Sequence, residues 1–258
     1  MLAPERRELI LQEVLKNKSV LVKDLCEKFQ VTGETIRKDL TLLEKDGKLL
    51  KTHGGAYIHE GASNEIHSFI RQGIFNHEKK AIARECAALV PGGATVFLDE
   101  STTAGHIAEE LREKSSLTII TNSLLVMNAL SGKEHLRVIL IGGSFHHHNQ
   151  SFYGSEAVKM ISDFNADYAF VSCRGLDREK GITDGNIEGG EIRRRMLKQA
   201  SRRILAVDYT KFDHAHIFCI DRYQDVDLMV VDKLPGSWSD FLAAKNIRVI
   251  EALREDSI

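Results

Sequence analysis

The sequence has little proline, few cysteines and no long apolar run. Three prolines among 258 residues, beside 19 glycines, exclude a collagen-like chain and a proline-rich disordered chain. No apolar stretch approaches the roughly 18 residues of a membrane-spanning helix, and charged residues interrupt the apolar pattern at the N-terminus, which excludes a signal peptide. The four cysteines are far apart and form no CxxC pair, so a zinc ribbon is excluded and a disulfide framework is disfavoured. We therefore expect a cytoplasmic protein without metal or cofactor.

Composition and charge indicate an ordinary folded protein with an uneven charge distribution. Hydrophobic residues make up 43% of the chain, which is enough for a packed core, and the length suits one large or two unequal domains. The net charge of −2 argues against a general nucleic-acid binder. Residues 1–57 nevertheless carry +2 and the remainder −4, the sign expected if only the N-terminal part meets an anion.

Residues 1–57 predict three short amphipathic helices followed by a basic strand. Thr32 is a good N-cap for the third helix, which we expect to end at Gly47. The buried stripe of this helix comprises Ile36, Leu40 and Leu43. A basic strand closed by Gly54-Gly55 suits a β-wing. The pattern is typical of a winged helix-turn-helix, although periodicity alone equally allows a three-helix bundle with a solvated charged face.

The polar face of the third helix and the wing carry side chains suited to DNA. Arginine and lysine bind guanine or phosphate, and threonine contacts a base methyl or a phosphate. The predicted DNA-binding residues are Thr32, Thr35, Arg37, Lys38, Thr41, Lys48, Lys51 and His53.

A long ordered motif runs through the same region. It comprises Val31-Thr32-Gly33-Glu34-Thr35-Ile36-Arg37-Lys38-Asp39-Leu40, then Leu43-Glu44, Gly47 and His53-Gly54-Gly55-Ala56. This order resembles the signature of the DeoR family of bacterial transcription regulators. The resemblance implies a winged helix-turn-helix whose third helix enters the DNA major groove. Gly33 departs from the pattern, since many members carry a larger polar residue there, and we expect it to loosen the first helical turn.

The rest of the chain divides into a predicted linker at 58–75 and an α/β domain at 76–258. From about residue 76, helical and apolar strand patterns alternate, with a strand at 218–220 included in the series. Continuous apolar strands of this kind are buried on both faces. We therefore predict a three-layer α/β domain around a mainly parallel sheet, a class that binds ligands at the carboxyl ends of its strands.

Polar groups follow four of the predicted strands. They are Asp99–Thr103, Thr121–Ser123, Gly142-Gly143 and Asp208–Phe212. Hydroxyls and free amides at a helix N-terminus can hold a phosphate, the glycines allow close backbone approach, and Lys211 supplies a cation. Each feature alone is ordinary cap or turn chemistry. Together they favour a small, anionic, hydroxyl-rich ligand.

These landmarks form a second ordered series. It comprises Asp99-x-Ser101-Thr102-Thr103, Thr121-Asn122, Gly142-Gly143, Gly154, Gly175, Gly181-Ile182-Thr183, Asn186-x-Glu188-x-x-Glu191-x-Arg193-Arg194-x-Met196 and Asp208-x-x-Lys211-Phe212. The series resembles the DeoR effector domain, which is similar to ribose-5-phosphate isomerase and binds phosphorylated sugars or related metabolites. The resemblance implies an effector site lined by Asp99, Thr102, Thr103, Thr121, Asn122, Glu188 and Lys211. Ser101 replaces the usual glycine, so either its hydroxyl binds the phosphate or the loop is displaced, and Thr210 replaces the usual serine.

Four other features invite a functional interpretation. His146-His147-His148 suggests a metal site, but three consecutive residues cannot easily face one ion, so we expect a surface loop. We expect Cys173 to be buried rather than reactive, because no matched base is evident. Arg193-Arg194-Arg195 suits an interface or effector role better than DNA contact, and Trp238 suits a core or interface.

The sequence supports three hypotheses. The first is an oligomeric, DNA-binding repressor of a carbohydrate operon that a phosphorylated sugar releases from its operator, since one small module gives too few contacts for selective binding. The second is a sugar-phosphate isomerase using Asp99, Glu188 and Lys211 for acid–base chemistry. The third, a transcription activator, rests on the same residues as the first.

Overall fold

The computed structural model describes residues 1–17, 19–46, 48–51, 54–57, 76–147 and 149–252. The chain forms two compact units, Met1–Asn64 and Glu65–Ile258. His53, His148 and the linker predicted at 58–75 lie outside the described residues. No helix among the residues described is long and apolar enough to cross a membrane.

The N-terminal unit consists of three helices and a small antiparallel sheet. Its elements are α1 (Ala3–Asn17), β1 (Ser19–Leu21), α2 (Val22–Phe29), α3 (Gly33–Lys45), β2 (Leu50–Lys51) and β3 (Gly55–Tyr57). The strand order is β1-β3-β2, so β3 pairs with both neighbours. This arrangement confirms the predicted helix-turn-helix and wing. The wing is anchored by β1, a strand that the sequence analysis did not include.

A short turn and one apolar core fix the angle between α2 and α3. Gln30 ends α2 in the left-handed conformation with φ 53°, and Thr32 then starts α3 from an extended backbone. Ile10, Leu25 and Ile36, one from each helix, are buried in a common cluster. The apolar stripe of α3 thus faces inward, which leaves its polar face outward.

The C-terminal unit alternates strands and helices. Its elements are α4 (Asn76–Ala88), β4 (Thr95–Leu98), α5 (Thr102–Leu111), β5 (Thr118–Thr121), α6 (Leu124–Leu130), β6 (Arg137–Leu140), β7 (Ser144–His146), β8 (Ser151–Tyr153), α7 (Ser155–Ser162), β9 (Ala166–Val171), β10 (Gly175–Asp177), β11 (Gly181–Asp184), α8 (Ile187–Lys198), β12 (Ala200–Val207), β13 (Phe218–Asp221), β14 (Leu228–Val231), α9 (Ser239–Ala244) and β15 (Arg248–Glu251). Short 3-10 helices lie at Tyr209–Lys211 and Gly236–Trp238.

Seven parallel strands form the central sheet, in the order β15-β14-β12-β9-β4-β5-β6. Successive side chains of β4 enter different cores: Val96 and Leu98 join the cluster under α4, α5 and α6, whereas Phe97 joins the cluster under α7, α8 and α9. This alternation is the two-residue period of a strand that is buried on both faces. The predicted three-layer α/β domain is therefore confirmed.

Two parts of the unit differ from the sequence prediction. The strand expected at 218–220 belongs to a separate antiparallel sheet, β10-β11-β13, and not to the parallel series. A parallel connection needs a crossover of a dozen or more residues, and the segment from β12 to β13 is too short for one. The antiparallel hairpin β7-β8 was also not predicted.

Candidate functional site

The α3 helix starts from a capped turn. The Thr32 Oγ1 accepts a hydrogen bond from the Thr35 amide at 3.3 Å, and the two hydroxyl oxygens lie 3.0 Å apart. This cap satisfies one of the free amides of the first turn. A Cβ on Gly33 would lie 3.3 Å from the Arg37 Nη1, so the glycine leaves room for this guanidinium beside the first turn.

A buried ion pair fixes α3 against α1. The Arg6 Nε donates to the Asp39 Oδ2 at 2.6 Å, and both side chains are almost fully buried. Removing one partner would leave the other charge buried and uncompensated. Asp39 belongs to the motif quoted above, but its partner lies 33 residues earlier and could not be identified from spacing.

The polar face of α3 and the wing are joined by hydrogen bonds. Arg37, Lys38 and Thr41 are exposed. The Lys51 Nζ donates to the Thr41 Oγ1 at 2.6 Å, and this hydroxyl donates to the Arg37 carbonyl at 2.7 Å. Arg37, Thr41 and Lys51 therefore form one continuous surface with two cationic groups.

The remaining predicted DNA-contacting lysines have acidic neighbours. The Lys38 Nζ lies 2.9 Å from the Glu34 Oε1 one turn earlier on α3, and both side chains are largely exposed. Such a pair contributes only about 0.3–0.5 kcal/mol, so a phosphate could replace Glu34 at little cost. The Lys48 Nζ lies 3.6 Å from the Asp46 Oδ2.

In the C-terminal unit, the loop after β4 leads directly into α5. Ser101 is the N-cap, and its Oγ accepts from the Ala104 amide at 3.0 Å, while its own amide donates to the Asp99 Oδ1 at 2.9 Å. The extra side chain at this position therefore caps the helix. Thr102 and Thr103 are buried in the first turn, where amides and hydroxyls can meet an anion.

Arg193 on α8 holds three carboxyl groups from distant parts of the chain. Its guanidinium lies 2.7 Å from the Asp99 Oδ2, 2.7 Å from the Glu100 Oε1 and 2.9 Å from the Asp184 Oδ2. The Asp99 Oδ2 also accepts from the Ser172 amide at 2.9 Å. Although burial opposes its charge, the three carboxyls raise the pKa of Arg193 above its ordinary value. Asp99 is thus fully buried and bonded inside the protein.

Glu100 and Asn122 lie side by side at the ends of β4 and β5. The Asn122 Nδ2 is 3.4 Å from the Glu100 Oε2 and donates to the Phe152 carbonyl at 3.0 Å. The Asn122 Oδ1 is buried without a hydrogen-bond partner among the described residues. Burial is the main cause that raises the pKa of Glu100 to about 7, with Asp99 and Asp184 adding to it and Arg193 opposing it. The Thr121 side chain bonds to its own loop, since its Oγ1 accepts a hydrogen bond from the Ser123 amide.

The β7-β8 hairpin packs over this edge of the sheet. Its bond from Asn122 to Phe152 joins it to the end of β5. The His146 ring packs edge-on against Tyr153 with centroids 4.8 Å apart, and its Nε2 lies 3.3 Å from the Glu188 Oε2. Glu188 therefore contacts the hairpin, apart from the Arg193 cluster. His146 lies in a strand, so the surface-loop prediction was wrong for this residue.

The two glycines before the hairpin have different surroundings. Gly143 has φ 143°, and a Cβ there would lie 2.4 Å from the Tyr153 carbonyl oxygen. Its missing side chain thus serves close packing within the hairpin. A Cβ on Gly142 would meet nothing within 4 Å, so only this glycine borders open space.

Lys211 pairs with Asp208 at the end of β12. The Lys211 Nζ lies 3.3 Å from the Asp208 Oδ2 and donates to the Thr210 Oγ1 at 3.2 Å. Although burial opposes ionisation, Lys211 and Thr210 hold the pKa of Asp208 below its usual range. The side chain of Lys211 is 26% exposed, so its ammonium can still exchange this partner for a ligand.

Three further sequence predictions have structural outcomes. Cys173 is buried as expected, and burial raises the pKa of its thiol. Arg194 and Glu191 pair at 2.9 Å on α8. Trp238 is fully buried in the core beneath α9. Within the described part of the chain, no group of three or more His, Cys, Asp or Glu residues could hold a metal ion.

Arg193 was predicted only through its motif and its run of three arginines, without its partners, and Glu100 was not predicted as a site residue. The three acidic partners of Arg193 lie at positions 99, 100 and 184, and no periodicity connects them. The one available signal was Glu100 itself, a charged residue in an otherwise small and polar loop directly after a buried strand.

Family models match both units. Residues 6–61 match the DeoR-like helix-turn-helix domain, and residues 75–233 match the DeoR C-terminal sensor domain.

Curated relatives match across almost the whole chain. The uncharacterized HTH-type transcriptional regulator YulB from Bacillus subtilis is 37% identical over 90% of this chain and 90% of its own length. The glycerol-3-phosphate regulon repressor of Escherichia coli is 30% identical over 90% of this chain and 91% of its own length. Among solved structures, ribose 5-phosphate isomerase A from Methanocaldococcus jannaschii aligns with 54% of this chain and 55% of its own at 17% identity, with a TM-score of 0.38.

Proposed function

Since this chain belongs to the DeoR family of DNA-binding transcription regulators, we propose that it represses a carbohydrate operon and is released from its operator by a phosphorylated sugar or related metabolite. The observation that carries the proposal is the pairing of an exposed cationic helix face with a polar strand-edge site in one chain. An effector changes DNA affinity only if it binds the two conformational states of the regulator differently.

We propose that α3 lies in the major groove and the wing contacts the backbone. Arg37 is exposed on α3 and is the side chain best suited to a bidentate contact with guanine. Lys51 and Thr41, bonded to each other, suit phosphate contacts beside it. Thr35, Lys38, Lys48 and the predicted residues Thr32 and His53 complete the proposed surface.

The DNA-binding proposal is tested with an operator selected from random duplexes by the full-length protein. Replacing Arg37 by Ala should weaken operator binding by about 1–3 kcal/mol if it reads a base. Replacing Lys16 by Ala removes one exposed cation at the end of α1 and serves as the matched control. Equal affinities of the R37A variant and the wild type would remove Arg37 from this role.

For the effector, we propose that the phosphate binds at the first turn of α5. Thr102 and Thr103 offer hydroxyls and helix N-terminal amides there, and the Ser101 cap already shapes the loop. Lys211 supplies the nearby cation, and Gly142 offers open backbone. Thr121, Gly143 and Glu188 belong to the predicted set but make contacts within the protein, which suits supporting roles. The printed name of one relative, a glycerol-3-phosphate regulon repressor, supports a phosphorylated ligand class.

Thermal unfolding with a panel of phosphorylated sugars tests this site. A ligand at 100 times its dissociation constant should add about 2.7 kcal/mol of apparent stability. Replacing Thr102 and Thr103 by Val should abolish the shift. Replacing Thr118 by Val, at the opposite end of a sheet strand, should retain it. A shift unchanged by T102V/T103V would refute the phosphate position.

We infer that the protein binds its ligand without turning it over. Asp99, a candidate base, is buried and accepts hydrogen bonds from Arg193, Ser172 and Ser101, which suits a structural role better than proton transfer. Isomerisation of ribose 5-phosphate by the purified protein would overturn this inference.

The proposal includes a homo-oligomer, a dimer or tetramer, because one small module buries too little DNA surface for selective binding. It also places the protein in the cytoplasm, with the DNA. Activation instead of repression would use the same surfaces. Reporter transcription in cells with and without the gene distinguishes the two, since loss of a repressor raises expression.

A further inference from the structure

We propose that Glu100 is a specificity residue of the effector site, where it and the Asn122 amide oxygen recognise a hydroxyl group of the effector and reject a carboxylate. This inference rests on the proposed function, because it assigns a residue to the same site. Glu100 stands two residues before Thr102, so the same short loop that presents the phosphate-binding turn also presents this carboxyl.

The position of Glu100 is fixed from three sides. Arg193 holds its Oε1 at 2.7 Å, and the Asn122 Nδ2 lies 3.4 Å from its Oε2. A Cβ on Gly189 would lie 2.6 Å from the Glu100 Oε1, so the first turn of α8 can approach the carboxyl only because this residue is glycine. A carboxyl held this firmly can discriminate between ligands by geometry.

The Asn122 Oδ1 points to a missing donor. It is a fully buried acceptor without a partner among the described residues, beside the Glu100 carboxyl. Buried polar atoms are nearly always hydrogen-bonded in native proteins, and the exceptions mark strain or function. A ligand hydroxyl can donate to this oxygen, whereas a carboxylate has no hydrogen to donate.

Charge around Glu100 acts in the same direction. Asp99, Glu100 and Asp184 face one guanidinium, so the cluster carries an excess of carboxyl groups even with Arg193 ionised. Other ionisable groups on adjoining elements include Tyr153 of β8, His146 of β7 and Glu188 of α8, of which His146 contacts the other two, and α5 and α8 also carry His106 and Glu191. A second anionic group on the ligand would be repelled here, and a neutral polyol would not.

The protonation of Glu100 gives a readout that a purely structural residue would not show. Burial raises the pKa of this carboxyl to about 7. A dianionic phosphate bound nearby disfavours the carboxylate further, so effector binding should take up a proton at pH 8. Affinity should then fall as pH rises from 7 to 9, by at most about tenfold per pH unit for one proton. The phosphate itself loses its second proton near pH 6 and contributes little in this range.

The test is calorimetric titration of the full chain with matched ligand pairs. Glycerol 3-phosphate has a hydroxymethyl group where 3-phosphoglycerate has a carboxylate. Glucose 6-phosphate likewise has an aldehyde or hemiacetal carbon where 6-phosphogluconate has a carboxylate. We expect the wild type to favour the member without the carboxylate in each pair by about tenfold or more, as for one like charge at a partly screened distance. Replacing Glu100 by Gln should reduce this preference by about tenfold and flatten the pH dependence between pH 7 and 9.

The outcomes separate this inference from the proposed function. If phosphorylated ligands bind but wild type and E100Q show the same preference and the same pH profile, Glu100 is not a specificity residue and the effector site stands. If none of the four phosphorylated ligands binds, the proposed effector class fails and this assignment fails with it. The ligand preference and the pH profile of the wild type are measured without any variant. The inference therefore remains testable even if the E100Q protein does not fold, because a wild type without this preference would refute it.

Discussion

Replacing Glu100 by Gln should change how the stability of the C-terminal unit depends on pH. Burial raises the pKa of Glu100 from 4.5 to about 7 in the folded protein. Between these values the folded state retains a proton that the unfolded chain releases. The contribution of Glu100 to stability is therefore fully present below pH 4.5 and is lost as pH rises towards 7. Glutamine cannot titrate, so the E100Q variant lacks this loss.

The size of the effect follows from the two pKa values. A tenfold change in proton affinity corresponds to about 1.4 kcal/mol, so the loss between the two limits is of the order of 3 kcal/mol. Relative to the wild type, the E100Q variant should gain about this amount of unfolding free energy when the pH is raised from 4.5 to 8. Any constant cost of the substitution cancels in this comparison.

Urea unfolding followed by tryptophan fluorescence measures the effect. Trp238 is the one tryptophan of the chain and is fully buried in the C-terminal unit, so its emission reports on the unfolding of that unit. Replacing Glu110 by Gln, at an exposed position on α5, provides the matched control. A difference between E100Q and wild type that stays constant from pH 4.5 to 8 would refute the argument, because Glu100 would then not titrate there.

Three further predictions concern other parts of the chain. Replacing Asp39 by Ala should destabilise the N-terminal unit by about 3–5 kcal/mol, because Arg6 would stay buried without its counter-ion; an unchanged melting curve by circular dichroism would contradict the role of the pair. Replacing Gly143 by Ala should lower the unfolding free energy, followed by Trp238 fluorescence, by about 1–3 kcal/mol, because the new Cβ would clash with the Tyr153 carbonyl. The G142A variant should be close to neutral, and equal effects of the two substitutions would disprove the packing argument. Operator affinity should fall steeply with salt, and removal of a phosphate contact such as Lys51 should reduce the log–log slope by about 1; an unchanged slope would exclude that contact.

Local sequence signals predicted most of the fold. Thr32 caps α3 and Ile36 and Leu40 face the core, as their spacing indicated. The alternation of helical and apolar strand patterns from about residue 76 predicted the parallel sheet, in which β5 and β6 are neighbours. These features succeed because helix caps, apolar periodicity and buried strands depend on residues close together in the chain. The strand predicted at 218–220 was assigned to the wrong sheet because an apolar strand fits a parallel or an antiparallel sheet equally well. Only its short connection to β12 decides which strand it pairs with.

The candidate site was predicted in outline but not in its bonding. The strand-end rule placed Asp99, Thr102 and Asn122 at one edge of the sheet, and the structure brings them there. The strand-end rule could not show that Asp99 accepts a hydrogen bond from Arg193, which lies 94 residues later in the chain. Ser101 was left with two alternatives towards a phosphate, and its bond to the Ala104 amide is the ordinary helix cap that the sequence also allowed. Long-range ion pairs escape sequence analysis because opposite charges are common and spacing does not select partners.

The proposed anionic effector would bind beside a cluster that is itself rich in carboxyl groups. The negative groups Asp99 and Asp184 are bonded to Arg193, while Thr102 and Thr103 lie in the first turn of α5, which starts at the sheet edge. Positive potential at the helix terminus and negative potential at the Arg193 cluster then act on opposite ends of a small ligand. Under the proposed function, such a field would orient a phosphorylated polyol with its phosphate at α5 and its hydroxyls towards Glu100. It would also disfavour a ligand that is anionic at both ends, which is the discrimination that the E100Q titration measures.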